Sequence, residues 1–396
     1  MNKKINIAIY SGNIPSTTFI ENLIKGISNK HEVLLFGKLK SKLEYTSKNI
    51  HCFPTFSNKI INLGITKWRT FLLLVLYPKR FQILWTEVKS FKGLYTKYQW
   101  WSRYAPVLLY LPDIFHIQWA KDLEKWHFLK EKLGCKIVLS LLGSHINYSP
   151  ITDNKLALKY KQLFPEIDVF HAVSEAIALE AEKYGAVSAK IKLIHSPLNS
   201  AVFEEFKNIQ KKSIAPFKIV SVGRHHWVKG YDYAISAIRI LKEEGIDFEY
   251  AIIAQGEISE NLLFQVNQMG LQKEVSFLKG MEQNVLFQEI KKFDVLLLPS
   301  LNEGIANVVL EAMALGVSVI STDCGGMAEV IKQGETGWLV PVRNPQAIAH
   351  ALVEVQNTSI EKRQEIISNA HAFVKEQFNA KKVIGQFNDL YEEVMR

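Results

Sequence analysis

The sequence predicts an α/β protein made of two doubly wound, Rossmann-like domains facing a central cleft, and three observations lead there. Short apolar runs alternate with longer amphipathic stretches along both halves of the chain. Those runs are nearly continuous in Val, Ile and Leu, as parallel strands covered on both faces require. The length, 396 residues, exceeds one ordinary core, so two domains of roughly 200 residues each are expected.

In the first half, residues 5–10, 31–36, 114–118, 136–141, 169–173 and 192–195 read as strands. In the second, residues 218–222, 249–254, 275–278, 295–299 and 318–321 do. Helical patterns lie between them, among them 231–244, 284–292 and 307–315. Alternating β and α elements imply right-handed βαβ units. The expected division is a first domain at 1–200, a linker at 201–216 carrying Lys207, Lys211 and Lys212, and a second domain at 217–379. A terminal helix at 380–396 is expected to pack back on the first domain. Ligands of such open sheets bind at the carboxyl ends of the strands.

Composition excludes several classes. Hydrophobic residues at 48% with 22% charged are those of a soluble globular chain. No run approaches the ~18 apolar residues needed to span a bilayer; residues 71–77 come nearest and stop at Pro78-Lys79-Arg80. Met1-Asn2-Lys3-Lys4 followed by residues 5–10 has the look of a leader, but it lacks a small-residue cleavage site and reads better as a first strand. Cys52, Cys135 and Cys324 are odd in number and far apart, which suits a reducing, cytoplasmic setting and no metal site. Residues 1–200 hold 28 Lys/Arg against 14 Asp/Glu, whereas residues 201–396 hold 20 against 25. The basic half is therefore expected to meet something anionic.

The chemistry concentrates in three stretches. In Val222-Gly223-Arg224-His225-His226-Trp227-Val228-Lys229-Gly230 a strand gives way to a helix. Gly223 permits a sharp turn, and Arg224 and Lys229 arrive together at the strand's carboxyl end. An arginine fork and a lysine point charge suit a diphosphate, although a solvated basic loop has the same composition. In Pro299-Ser300-Leu301-Asn302-Glu303-Gly304-Ile305-Ala306-Asn307 a loop runs into the next helix. The unpaired N–H groups at that helix start, with Gly304 letting a ligand come close, form an anion site. Glu303 precedes the helix and Glu311 lies inside it, roughly 7 Å along the axis, so the two carboxylates can address opposite ends of an extended ligand. The third stretch is Gly325-Gly326, a tight turn after a strand.

Together, Gly223-Arg224, Lys229-Gly230, Glu303-Gly304, Glu311-Ala312-Met313-Ala314, Gly316, Gly325-Gly326, Glu329 and Gly334–Val340 resemble the retaining glycosyltransferases of the GT-B fold, glycosyltransferase family 4. The resemblance is dense from about Ser221 to Val340 and looser before that. It implies transfer of a sugar from a nucleoside-diphosphate sugar to a glycan or polyprenyl-linked acceptor in cell-surface polysaccharide synthesis. It also implies roles. Arg224 and Lys229 would hold the donor diphosphate, Glu303 would face the donor sugar, and Glu311 would take the ribose hydroxyls. The backbone of Gly304, Ile305, Ala306 and Asn307 would meet the distal phosphate, and Gly280-Met281 would edge the base. No cofactor or metal is expected: the leaving group's charge is met by protein cations, and the chain contains no Asp-x-Asp. A non-catalytic nucleotide-sugar binder and a nucleotide-sugar epimerase of the same fold are the alternatives.

The first half departs from the family pattern. Ser11-Gly12-Asn13 resembles the family's glycine loop near the donor, with one glycine where a pair is usual. His116 lies on an expected strand and reads as structural. At Leu139-Ser140-Leu141-Leu142-Gly143-Ser144-His145, Leu142 stands where relatives carry a histidine beside the reacting sugar. Either His145 reaches in from three residues on, or this subgroup does without the histidine; we count His145 among the candidate catalytic residues. Residues 59–103 hold nine Lys/Arg against Glu87 alone, interleaved with aromatics. That mix suits anionic lipid headgroups, with the chain peripheral on the inner face of a membrane. Single-stranded nucleic acid would be served by the same mix, as would a helix pair whose aromatics face the core; membrane contact is the expectation taken here, with no nucleic-acid partner.

Overall fold

The computed structural model describes residues 4–41, 44–206, 208 and 216–396. Met1-Asn2-Lys3 and the linker lysines Lys207, Lys211 and Lys212 lie outside the described residues. The first sheet comprises β1 (Asn6–Ile14), β2 (Glu32–Leu39), β3 (Ile50–Thr55), β4 (Ile114–Ile117), β5 (Lys136–Leu141), β6 (Val169–Ala172) and β7 (Ile191–Leu193). Their order is β3-β2-β1-β4-β5-β6-β7, and every neighbouring pair is parallel. Ile7, Ile9, Val33, Leu35 and Val138 form one side of its core. Phe387, Leu390 and Tyr391 of the C-terminal helix Ala380–Val394 close that core from the outside.

The second sheet comprises β8 (Phe217–Arg224), β9 (Phe248–Gln255), β10 (Val275–Lys279), β11 (Val295–Leu298), β12 (Ser318–Thr322) and β13 (Trp338–Val340). Its order is β10-β9-β8-β11-β12-β13, again parallel throughout. Two strands escaped the sequence reading. β3 contains Pro54, which is tolerated because the strand lies at a sheet edge. β13 has three residues, too few for any periodicity to show. Both sheets reverse their winding direction at one place, between β1 and β4 in the first and between β8 and β11 in the second. Chains leaving the two central strands there diverge to opposite faces and leave a crevice at the carboxyl ends, where open sheets bind ligands.

The chain divides into two compact units. One runs up to Ala172 and adds Ala178–Pro197 and Val383–Arg396; the other takes Val173–Ile177 and Leu198–Lys382. The expected linker at 201–216 needs correction in its first part. Ala201–Glu204 is a helical turn whose Val202 and Phe203 are buried in the core of the second unit, beside Leu310 and Ala314. Two apolar side chains inside a proline-bounded segment were enough to dock it.

Between β3 and β4 the first unit inserts three helices, Lys59–Leu76, Pro78–Lys89 and Leu94–Tyr110. Of their aromatics, Tyr104 packs in the interior against Trp126, whereas Trp68, Trp85 and Tyr95 are exposed. Among the described residues no helix is long and apolar enough to cross a membrane.

Candidate functional site

Strand β8 ends at Arg224, and a single 3-10 turn, Trp227–Lys229, carries the chain to the helix Tyr231–Glu243. Gly230 closes that turn with φ 61°, and a Cβ there would stand 2.2 Å from the Pro299 carbonyl oxygen. Only glycine accepts both the left-handed backbone and that approach. The Leu301 N–H donates to the Val228 carbonyl at 2.7 Å, so the turn after β8 is fastened to the loop after β11 across the switch point.

This fastening sets Lys229 against Glu303. Lys229 Nζ donates to Glu303 Oε1 at 2.7 Å, and Ser300 Oγ donates to the same oxygen at 2.7 Å. Lys229 and Glu303 are both largely buried, with side chains 14% and 16% exposed. Arg224, by contrast, is exposed and has no protein partner among the described residues. Two polar atoms close by are buried and, among the described residues, unpartnered: Tyr231 Oη and His225 Nδ1. Burial, and next the Glu303 carboxylate, raise the Tyr231 phenol's pKa; burial lowers that of His225. Gly223 makes room here, since a Cβ on it would lie 2.8 Å from Tyr231 Oη and 3.1 Å from Lys229 Cε.

The helix Asn307–Leu315 starts behind Ala306 without a side-chain cap. The Ala306 N–H points at Met327 Sδ, 3.5 Å away, a weak acceptor. No protein acceptor takes the N–H of Ile305 or Asn307 among the described residues. An uncapped helix start with free donors is the positive end of the helix dipole.

The Gly325-Gly326 turn supports this loop from below. A Cβ on Gly325 (φ 58°) would fall 1.7 Å from the Glu303 carbonyl oxygen, and one on Gly326 would fall 2.3 Å from that of Gly304. The Gly326 N–H donates to the Gly304 carbonyl at 2.8 Å. The close approach these glycines permit is thus to the Glu303-Gly304 backbone. Glu329 accepts from the N–H groups of Glu175 and Ala176 at 3.0 and 3.1 Å, a helix-start contact.

Glu311 lies one turn into the Asn307–Leu315 helix, and Gln283 Nε2 donates to its Oε1 at 2.7 Å. Burial pushes the Glu311 carboxyl up to about 7, the Gln283 bond opposing that shift. Gln283 opens the helix Gln283–Ile290, which directly follows Gly280-Met281. The Gly280 N–H donates to Ala254 at 3.0 Å, and a Cβ on Gly280 would strike Gln255 Cγ at 2.3 Å. Met281 packs partly buried on the core.

In the first unit, Gly12 departs from its expected setting. It is inside β1, at a register shift against β2 with φ 82°, and not in a loop after the strand. The strand continues because Gly12 pairs with Gly37, where a Cβ would meet Gly12 backbone at 2.8 Å. Trp119 links Gly12's neighbourhood to His145: its Nε1 donates to the Ser11 carbonyl at 3.1 Å, and its ring lies edge-on to the His145 ring at 5.6 Å. His145 Nδ1 is buried and has no partner among the described residues. Burial, and then Lys121, lower the His145 pKa to about 4, so the ring is neutral. His116 is fully buried between Tyr391 Oη and Ser140 Oγ, each 2.7 Å from a ring nitrogen, a structural place.

The second sheet therefore gathers Arg224, Lys229, Glu303, Gly304, Ile305, Ala306, Asn307, Glu311, Gly280 and Met281 at its carboxyl end. Gly12 and His145 belong to the first unit, around Trp119. Three site residues escaped the sequence reading: Ser300, Tyr231 and Gln283. Ser300 was legible as the polar residue after an apolar strand, whereas Tyr231 and Gln283 show themselves only through packing.

The family described as "Glycosyl transferases group 1" matches residues 202–373. A putative colanic acid biosynthesis glycosyltransferase of Salmonella typhimurium is 28% identical over 60% of this chain and 59% of that protein. An amylovoran biosynthesis glycosyltransferase of Erwinia amylovora is 28% identical over 59% of this chain and 58% of that protein. The chain thus spans less than two thirds of the length of these relatives. The crystal structure of Anabaena Alr3699/HepE in complex with UDP and glucose superposes with a TM-score of 0.69 at 17% identity, covering 98% of this chain and 99% of that one. With two parallel Rossmann-like sheets and that superposition, the chain has the GT-B fold, and its second unit is similar to the glycosyl transferases group 1 family.

Proposed function

We propose that this chain transfers a hexose from a nucleoside-diphosphate sugar to a glycan or lipid-linked acceptor in polysaccharide synthesis. The observation that carries the reading is the Lys229–Glu303 pair at the β8/β11 switch point, with the exposed Arg224 on the same strand end. Arg224 and Lys229 receive the diphosphate, and the N–H groups of Ile305 and Asn307 take the distal phosphate oxygens. Charge that builds on the leaving nucleoside diphosphate is then met by groups already in place, which supports transfer without a metal ion. Glu303 faces the sugar, and Glu311 accepts the ribose hydroxyls. Retention of anomeric configuration rests on the family resemblance, as does His145 lying beside the reacting sugar. The relatives' roles in colanic acid and amylovoran biosynthesis support a surface glycan as product. The basic, aromatic helices of the first unit support peripheral contact with an anionic membrane on its cytoplasmic side.

The test is release of nucleoside diphosphate from UDP-, GDP- and ADP-sugars by the purified chain in excess EDTA. Turnover of one donor class is the expected result. Turnover lost on chelation and restored by Mn²⁺ would defeat the metal-free route, and no turnover of any donor would defeat the transfer reading.

A further inference from the structure

The helices Lys59–Leu76, Pro78–Lys89 and Leu94–Tyr110 of the first unit enclose a groove of ≈ 850 Å³. Small-molecule sites span roughly 300–1,000 Å³, so this is a large one. Its walls are Leu63, Phe71, Leu74, Phe81, Trp85 and Trp101. The charged side chains lining it, among the described residues, are Lys67, Lys89 and Lys97. No carboxylate pairs with any of the three among the described residues.

The Lys59–Leu76 helix is turned inside out for a helix facing water. Its buried residues are Asn62, Thr66 and Leu73, while Trp68, Phe71 and Leu74 are 60%, 55% and 47% exposed. Hydrogen bonds hold that orientation. Asn62 Nδ2 donates to Tyr98 Oη at 2.9 Å, and its Oδ1 accepts from the Phe56 N–H at 2.9 Å. Trp101 Nε1 donates to Thr70 Oγ1 at 2.8 Å. Polar residues are thus satisfied on the inside and apolar ones are left to line an open groove, the pattern of an interaction site.

We infer that this groove binds one hydrocarbon chain of a phosphate-bearing lipid, the chain against the aromatic walls and the phosphate against Lys67, Lys89 and Lys97. The walls select an apolar chain, and three cations without an acid select an anionic head. A second copy of the protein is the poorer occupant: residues 59–103 hold nine Lys/Arg against one Glu, so two such faces would oppose like charges. That the lipid carries the glycosyl acceptor rests on the transfer reading above; the binding itself does not.

The probe is dodecyl phosphate below its micelle concentration, titrated into the full chain by calorimetry and tryptophan fluorescence. Dodecyltrimethylammonium and inorganic phosphate are run beside it. Saturable binding of one dodecyl phosphate per chain, none of phosphate alone, and clearly weaker binding of the cationic amphiphile are expected. Leu74→Asp and the double variant Lys67→Glu/Lys89→Glu each alter exposed residues, so their thermal melting should match wild type. Each should weaken binding about tenfold or more, the scale of one or two such contacts. Equal affinity for the cationic amphiphile, uptake without saturation, displacement by single-stranded oligonucleotide, or a dimer broken by either variant would each overturn the proposal. Donor turnover in these variants separates the two readings. Lipid binding without any wild-type turnover sinks sugar transfer alone, and turnover without lipid binding sinks the groove alone.

Discussion

Lys229 Nζ and Glu303 Oε1 stand 2.7 Å apart, one at the end of the turn after β8 and the other in the loop after β11. The pair spans the place where the second sheet reverses its winding, and it is locked there by Gly230 against the Pro299 carbonyl. Arg224 lies on the same strand end with no side-chain partner among the described residues, so the two cations of this site differ in what their removal should do.

Arg224→Ala should lower kcat at saturating donor about 100-fold, on the order of 3 kcal/mol of leaving-group stabilisation, and leave the melting temperature unchanged. Lys229→Ala should lower kcat comparably and also lower the melting temperature, because the mostly buried Glu303 loses a cation. Steady-state kinetics with differential scanning calorimetry read both. Wild-type turnover in both variants would place the diphosphate elsewhere.

Gly325→Ala should disable the site without touching a ligand. At φ 58° and 1.7 Å from the Glu303 carbonyl oxygen, an added methyl must displace the loop, and a strained backbone of this kind costs about 1–3 kcal/mol. Lower stability together with a raised donor KM is expected. Gly334→Ala, at φ 70° but with open space around its Cβ, should lower stability while sparing KM.

Donor affinity should rise with pH through about 7. Burial raises the folded pKa of the Glu311 carboxyl to about 7, so below that pH the group is mostly protonated and keeps a proton. Ribose hydroxyls donate best to the carboxylate, so binding favours the ionised form and releases that proton. Calorimetry of a nucleotide-sugar in buffers of different ionisation enthalpy should show proton release near pH 6 that Glu311→Gln abolishes. The same linkage bears on folding. A carboxyl with a raised folded pKa stabilises the protein most at acidic pH, and that contribution fades as pH climbs from the ordinary carboxylate range through about 7.

His145→Ala should slow turnover without moving the pH profile. The ring is held neutral by burial, with its pKa lowered to about 4, so it does not titrate between pH 5 and 8. A shifted acidic limb in the variant would show the histidine exchanging protons during turnover.

The product should keep the donor's anomeric configuration. A proton NMR coupling constant of the first-formed product decides it, and inversion would remove the chain from the retaining mechanism.

Sequence by itself determined the two doubly wound sheets and most of the residues that gather at the carboxyl end of the second. Parallel strands buried on both faces must be continuously apolar, and a charged turn directly after such a strand has to emerge at its carboxyl end. Arg224, Lys229, Glu303 and the helix start at Asn307 were legible for that reason. Tertiary structure alone decided the rest. Gly12 lies in a strand because Gly37 presses on it from β2, a pairing no local pattern announces. Val202 and Phe203 turn an expected linker into core because Leu310 and Ala314 present them a surface. Glu311 has its raised pKa, and Gln283 its place beside it, only because two helices distant in the chain are packed together. Whether the aromatics of residues 59–103 face inward was open in the sequence, since apolar side chains on a helix look alike whichever way it turns. Hydrogen bonds from Asn62 to Tyr98 and from Trp101 to Thr70 settle that orientation, because a polar group turned inward must find its partner before the apolar face is free to choose.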